Sequence, residues 1–162
     1  MKFAKPLKDG CTAIYCNNDR AKFDEFDNPE LKDVKHPQFH GQSCRSVQIS
    51  LSEDYLKPKF GTKVFGDILA NAIKNMEPSQ YVFVSDSGFR PEAEVLVEEF
   101  GAENVVLIRI HRENCTFDGD SRSYINLSDL GVKTFDIDNN SSFEDFENEL
   151  IEAITEVENK NV

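Results

Sequence analysis

Tyr81-Val82-Phe83-Val84-Ser85-Asp86-Ser87-Gly88-Phe89-Arg90-Pro91-Glu92 decides how this chain is read. Four consecutive apolar residues follow Pro78 and give way to a polar Ser/Asp/Gly turn. A short unbroken apolar run of this kind predicts a strand buried on both faces, hence central in a parallel sheet. Downstream, residues 91–100 predict a helix with Glu at its start, where the helix dipole favours a carboxylate, and Gly101 predicts its C-cap. Residues 105–110 read as a second buried strand and 132–137 as a third, shorter one, with a polar excursion over 111–131 between them. Residues 142–158 predict a last amphipathic helix with Phe143, Phe146, Leu150, Ile151, Ile154 and Val157 facing inward.

Upstream the pattern is helical. Residues 3–16 predict a short helix with Leu7, Cys11, Ile14 and Tyr15 at helical spacing. The polar stretch 17–42, with Pro29, Pro37 and Gly41, reads as a long loop with room for one helical turn. Ser43 is a candidate N-cap for a helix over 43–56, with Val47, Leu51 and Leu56 inward and Pro58 interrupting it. Residues 62–76 give the clearest helical period, with Thr62 as candidate cap. Helices first and then strand–helix–strand–excursion–strand–helix predict an α/β fold with a parallel sheet. The expected organisation is one domain over 1–162, with a mainly helical part over 1–76 and the sheet and its excursion over 77–162.

The composition narrows the function classes. The 162 residues include 18 Lys and Arg against 30 Asp and Glu, a net charge of −12. That balance disfavours direct binding to nucleic-acid backbones and to anionic membranes. It leaves small molecules, proteins with basic surfaces, and nucleotides held in a locally basic pocket. No apolar run approaches the length of a membrane span, and Met1-Lys2-Phe3-Ala4-Lys5-Pro6 lacks an apolar signal region, so a cytoplasmic protein is expected. Cys11, Cys16, Cys44 and Cys115 form no CxxC pair, and reduced thiols rather than a zinc site with His36, His40 or His111 are the expectation.

Ligands of parallel sheets sit at the carboxyl ends of the strands. Two segments occupy those ends, residues 85–90 and 111–124. Asp86 directly follows the first strand, where a carboxylate can hold Mg²⁺ through water or accept a proton from a substrate hydroxyl; Ser85 and Asp86 can equally cap the following helix. Arg109, His111, Arg112 and Arg122 fall within fourteen residues of an otherwise acidic chain, around a turn at Asp118-Gly119-Asp120. Arg forks bind phosphate bidentately. They can also pair with the abundant acids. Arg45, Lys57 and Lys59 flank the 43–56 helix and are either part of the same cleft or solvated.

Several segments resemble the bacteriophage deoxynucleoside monophosphate kinases. Phe3-Ala4-Lys5-Pro6-Leu7-Lys8-Asp9 is similar to their SFA-x-PLK-(D/E) segment, and Lys32-Asp33 to a K-(D/E) in a polar loop. Ser43-Cys44-Arg45 with Gln48 resembles their (T/S)-P-R-x-x-(L/M)-Q helix start, with Cys44 in place of Pro. Phe60-Gly61-Thr62-Lys63-Val64-Phe65 resembles G-x-x-x-(F/W), and Val84-Ser85-Asp86-Ser87-Gly88-Phe89 with Glu92-Ala93 resembles V-S-D-x-(R/G)-F-x-x-E-A. Phe117 to Tyr124 resembles the lid segment of phage members. The similarity covers most of residues 3–137.

The resemblance implies a P-loop nucleoside monophosphate kinase fold, a three-layer α/β sandwich. It implies Arg45 as a monophosphate contact, Asp86 near the reacting phosphates or metal, and Arg112 and Arg122 as lid residues. These kinases begin with a strand, a glycine-rich phosphate loop and a helix, whereas this chain starts after all three and contains no G-x-x-x-x-G-K-(S/T). Gly88 stands where the family carries the Arg of DxRF, with Arg90 two residues on. The missing first strand would be central, so the sheet must close over the gap or pair with another chain, which makes a homodimer a partner expectation.

The function expected is that of a degenerate kinase-like phage protein, in the host cytoplasm if phage-encoded. It would bind a nucleotide or related phosphorylated small molecule through Arg45, Asp86, Arg90, Arg112 and Arg122 without efficient phosphotransfer. No cofactor is named by the residues alone; Mg²⁺ bound with a nucleotide is the candidate. One alternative is an inhibitor or decoy that engages a host or phage protein through the acidic face over 136–158, where nine acids and no Lys or Arg occur. Another is a deoxynucleoside monophosphate kinase with an unusual phosphate site, in which Asp86 would be catalytic.

Overall fold

A computed structural model describes residues 1–77, 81–118 and 122–159. The chain divides into two compact units, Met1–Ser87 and Gly88–Val162.

In the first unit α1 (Lys5–Cys16) carries Pro6 in its first turn, where a missing N–H costs nothing, and ends at Asn17 in the left-handed conformation. The expected loop over 17–42 holds more structure than its composition suggests. It contains α2 (Arg20–Asp24), which the Asp19 side chain caps at the Lys22 N–H. It also contains a 3₁₀ turn over Pro37–Phe39 inside a small antiparallel hairpin, β1 (Lys35–His36) with β2 (Gln42–Ser43). Phe23, Phe26 and Phe39 explain why. Phe39 meets Tyr15 and Phe26 edge-on at 5.5 and 5.2 Å, and Phe23 and Phe39 are fully buried with Cys11, Cys16, Cys44 and Val47. These aromatics follow no single period, so they leave no helix or strand signature.

Ser43 caps α3 (Cys44–Ile49) as expected, its hydroxyl accepting from the Ser46 N–H at 3.1 Å. Pro58 does not interrupt the helix. The backbone loosens into a π-helical stretch, Ser50–Leu56, and resumes as α4 (Lys57–Phe60) with Pro58 in its first turn. In α5 (Val64–Lys74) the cap position is Lys63, without a side-chain bond, and not Thr62.

The strand expected over 81–84 is not formed in the described residues. Met1 bonds to this backbone, donating to the Phe83 carbonyl and accepting from the Ser85 N–H, and Phe83 is 60% exposed. An apolar run becomes a strand when a neighbouring strand completes its hydrogen bonds, and one residue does not supply a ladder.

In the second unit α6 (Arg90–Phe100) places Glu92 in its first turn, buried, and Gly101 (φ 85°) follows its last residue. β3 (Val106–His111) and β4 (Lys133–Asp138) pair in parallel from Val106↔Lys133 to His111↔Asp138. Leu107 packs with Ala93, Ile125, Leu127 and Val132. α7 (Phe143–Glu158) starts with a reciprocal Ser142–Asp145 capping box and packs on β4. Its inward stripe is narrower than expected. Ala153 is buried, whereas Phe143 is 79% and Ile151 52% exposed. A sixteen-residue helix has only a six-residue strand to lie on. The protein is therefore mixed α/β with a parallel strand pair, and two strands stand where three were expected.

Candidate functional site

Register partners in a parallel pair share a face, and the side-chain period of two sorts the strands. One face of β3–β4 carries Leu107 with Thr134, then Arg109 with Asp136, then His111 with Asp138. It is apolar where the 125–132 segment and α6 cover it and charged at its carboxyl end. Arg109 holds Asp136 in a bidentate pair, Nε to Oδ1 at 2.8 Å and Nη2 to Oδ2 at 2.5 Å. His111 Nε2 lies 2.6 Å from the same Oδ1. The Arg109 and His111 bonds hold the Asp136 carboxyl down at about 2. Asp136 therefore stays a carboxylate wherever the fold is of interest.

Two rings and a guanidinium complete the cluster. Tyr124 lies against His111 with centroids 4.5 Å apart and planes 32° apart, and its hydroxyl donates to the Ile110 carbonyl at 2.7 Å. Phe117 meets Tyr124 edge-on at 5.0 Å. The Arg122 guanidinium lies 6.0 Å from the Phe117 centroid. Arg122 also packs against Gly88: a Cβ there would stand 2.9 Å from Arg122 Cγ, and the Ser123 N–H reaches the Gly88 carbonyl. Gly88 thus makes room for the segment carrying Arg122. Arg112 is the first residue beyond β3, its carbonyl accepting from the Cys115 N–H. The turn residues Gly119 and Asp120, read as part of the lid, lie outside the described residues, as does Pro78.

The other sequence candidates have structural partners. Arg90 is committed twice, to Glu94 at 2.7 Å and to both Asp129 oxygens at 3.0 and 2.6 Å, with a further bond to the Asn126 carbonyl. These bonds push the Arg90 guanidinium up and the Asp129 carboxyl down. In the first unit Arg45 Nε pairs with Asp33 at 2.7 Å, so Asp33 serves as its counter-charge. Asp86 is a cap, but of α1 rather than of the helix that follows it. Its two oxygens accept from the Phe3 and Ala4 N–H groups at 2.8 and 3.0 Å. Both oxygens face N–H donors, which is not the environment a divalent cation takes. Among the described residues no group of three or more Asp, Glu, His or Cys is arranged for a metal. The residues present do not fit Mg²⁺, and no step is derived through it.

Asp136, Tyr124 and Phe117 did not stand out in the sequence as members of one cluster. Asp136 lies twenty-seven residues from Arg109, and only the strand register brings them together. No protein-family model, curated protein or solved structure matches the chain.

Proposed function

We propose that the chain is a degenerate nucleotide-kinase-like protein that binds a nucleotide or a related phosphorylated small molecule in the second unit and does not transfer phosphate efficiently. The observation that carries this reading is the cluster at the carboxyl end of β3–β4, where Arg122, His111 and stacked aromatic rings gather in a chain of net charge −12. Strand carboxyl ends are where α/β folds take ligands. Arg offers a phosphate fork, and an aromatic ring offers a face for a base. The reading brings with it the P-loop kinase-like sandwich and the phage origin that the sequence motifs suggest. Residues 1–162 contain no G-x-x-x-x-G-K-(S/T) loop to cradle the outer phosphates, and phosphoryl transfer rests mostly on such positioning. Arg45, Asp86 and Arg90 are assigned structural work here, and Arg112 and Arg122 keep the ligand role.

A thermal-shift titration with nucleoside mono-, di- and triphosphates tests the reading. At a hundredfold excess over Kd a ligand stabilises the fold by about 2.7 kcal/mol. A selective response lost in Arg122→Ala supports it; a blank panel overturns it.

A second reading has its own observation. α7 leaves Phe143 and Ile151 exposed on a helix without Lys or Arg. Such a surface suits a basic, partly apolar protein partner. Salt-sensitive capture of a purified basic partner, lost in Phe143→Asp, would favour it.

A further inference from the structure

We propose that the outer edge of β3 is a self-association surface. Two copies of this chain pair β3 against β3, antiparallel about a two-fold axis at Ile108, and form one continuous four-stranded sheet. This goes beyond the ligand reading and does not depend on it.

The hydrogen bonds fix which side of each strand is open. The His111 carbonyl accepts from the Asn139 N–H at 2.8 Å, so His111 turns its backbone groups toward β4. These groups alternate sides along a strand, so Leu107, Arg109 and His111 serve β4, and Val106, Ile108 and Ile110 turn theirs away from it. Among the described residues the hydrogen bond on that outer side is the one from the Tyr124 hydroxyl to the Ile110 carbonyl at 2.7 Å. The far edge of β4 is guarded instead. There the Asp138 N–H bonds Glu149 of α7 at 3.1 Å, and Asp136 and Asp138 discourage an incoming acidic chain. β3 reads Val106-Leu107-Ile108-Arg109-Ile110-His111, and Ile110 is 44% exposed. An apolar, β-branched edge with open backbone groups is a template for another strand.

Charge selects the occupant and its direction. A chain of net charge −12 repels a second copy over most of its surface. Residues 104–112 hold Arg109, His111 and Arg112 and no Asp or Glu, so two copies approach here without setting acids face to face. Antiparallel pairing about Ile108 puts Val106 opposite Ile110 and Leu107 opposite Arg109, which Asp136 already neutralises. Past the strand, the exposed Arg112 of one copy comes beside the exposed Glu103 of the other, and this happens twice. Glu113 leaves the strand line, its N–H held by Asn140 Oδ1 at 2.6 Å. A parallel pairing would set Arg112 against Arg112. The two-fold pairing uses up the open edge, so assembly closes at a dimer. It also turns a two-stranded sheet into a four-stranded one, past the size at which sheets become stable by themselves.

Sedimentation equilibrium of the full chain over a range of concentrations tests this, with amide exchange on the same samples. The expected result is a monomer–dimer equilibrium. The Val106, Ile108 and Ile110 amides should slow as the dimer forms, while those of Leu107, Arg109 and His111, already bonded to β4, change little. Ile108 faces itself across the axis. Ile108→Lys and Ile108→Glu should therefore each weaken association about a hundredfold, as like charges opposed at an interface do. An equimolar mixture of the two should restore association as a heterodimer. Val106→Pro removes an outward N–H at the first residue of the strand, where proline is tolerated, and should also weaken association. It keeps the test open if the Ile108 variants do not fold. A monomer at every concentration, a dimer indifferent to these substitutions, or two folded Ile108 variants that fail to associate when mixed overturns the proposal.

Discussion

The two units use the same kinds of charged residue to different ends. In the first, ionic and polar groups tie segments together. Asp86 holds the start of α1 from 82 and 83 residues away, Arg45 pairs with Asp33, and Asp27 takes Lys8 at 2.5 Å and Gln48 at 3.0 Å. In the second, Arg109, Asp136, His111 and Arg122 gather at one end of a strand pair with aromatic rings among them, and the Asp136 and His111 side chains are 48% and 43% exposed. Arg109 and His111 also join β3 to β4 through Asp136, so what sets the second unit apart is the gathering of several such groups at one strand end.

Four experiments sharpen or break that contrast. The largest effect is expected from the thiols. Burial, then the neighbouring Cys44, pushes the Cys11 thiol up to about 12, and burial pushes Cys44 to about 11. Cys115 is exposed. In the native protein one thiol should react quickly with a chromogenic disulfide and three at least about a hundredfold more slowly, because the thiolate is the reactive form. Four fast thiols would mean that the first unit is loosely packed.

Asp86→Ala removes the carboxylate that accepts from the Phe3 and Ala4 N–H groups ahead of α1 and should cost about 1–2 kcal/mol in chemical unfolding, while anion binding in the second unit is unchanged. Loss of binding in a stable Asp86→Ala protein would return Asp86 to the site and erase the contrast. Gly88→Ala should shift Arg122, because the new methyl meets its Cβ, Cγ and Cδ at 3.1 to 2.9 Å. Phosphate-ester binding should then weaken about three- to tenfold, read by calorimetry, on the scale of one displaced charge-assisted bond. The smallest effect concerns acid. The Asp136 carboxyl titrates lower in the folded protein than in the unfolded chain, so its contribution is present above about pH 4 and is lost as pH falls toward about 2. Asp136→Asn should therefore lower the neutral plateau slightly and flatten the acid limb, with the two proteins converging as pH falls toward about 2.

The helices were largely legible in the sequence. α1, α5, α6 and α7 follow from periodicity, and the Ser43 cap and the Gly101 stop from residue chemistry. The Tyr81–Val84 run was misread because apolar continuity reports a preference for burial, not the presence of a pairing strand. Pro58 was misread because a π stretch moved the helix register ahead of it. Of the site, Arg122 and His111 could be nominated from local charge. The Asp136 bond that orients His111 could not, since a parallel register is set by packing of the whole unit. Likewise the sequence offered Asp86 two roles, and neither included a cap donated to a helix at the other end of the first unit.

The central claim is that the carboxyl end of β3–β4 receives a phosphorylated ligand. The most direct test is an NMR titration of the full chain with a nucleoside 5′-monophosphate, following backbone and imidazole resonances together. Saturable shifts centred on His111, Arg122 and Tyr124, absent in Arg122→Ala, are the predicted result. Shifts confined to Met1–Ser87, or none up to millimolar ligand, would contradict it.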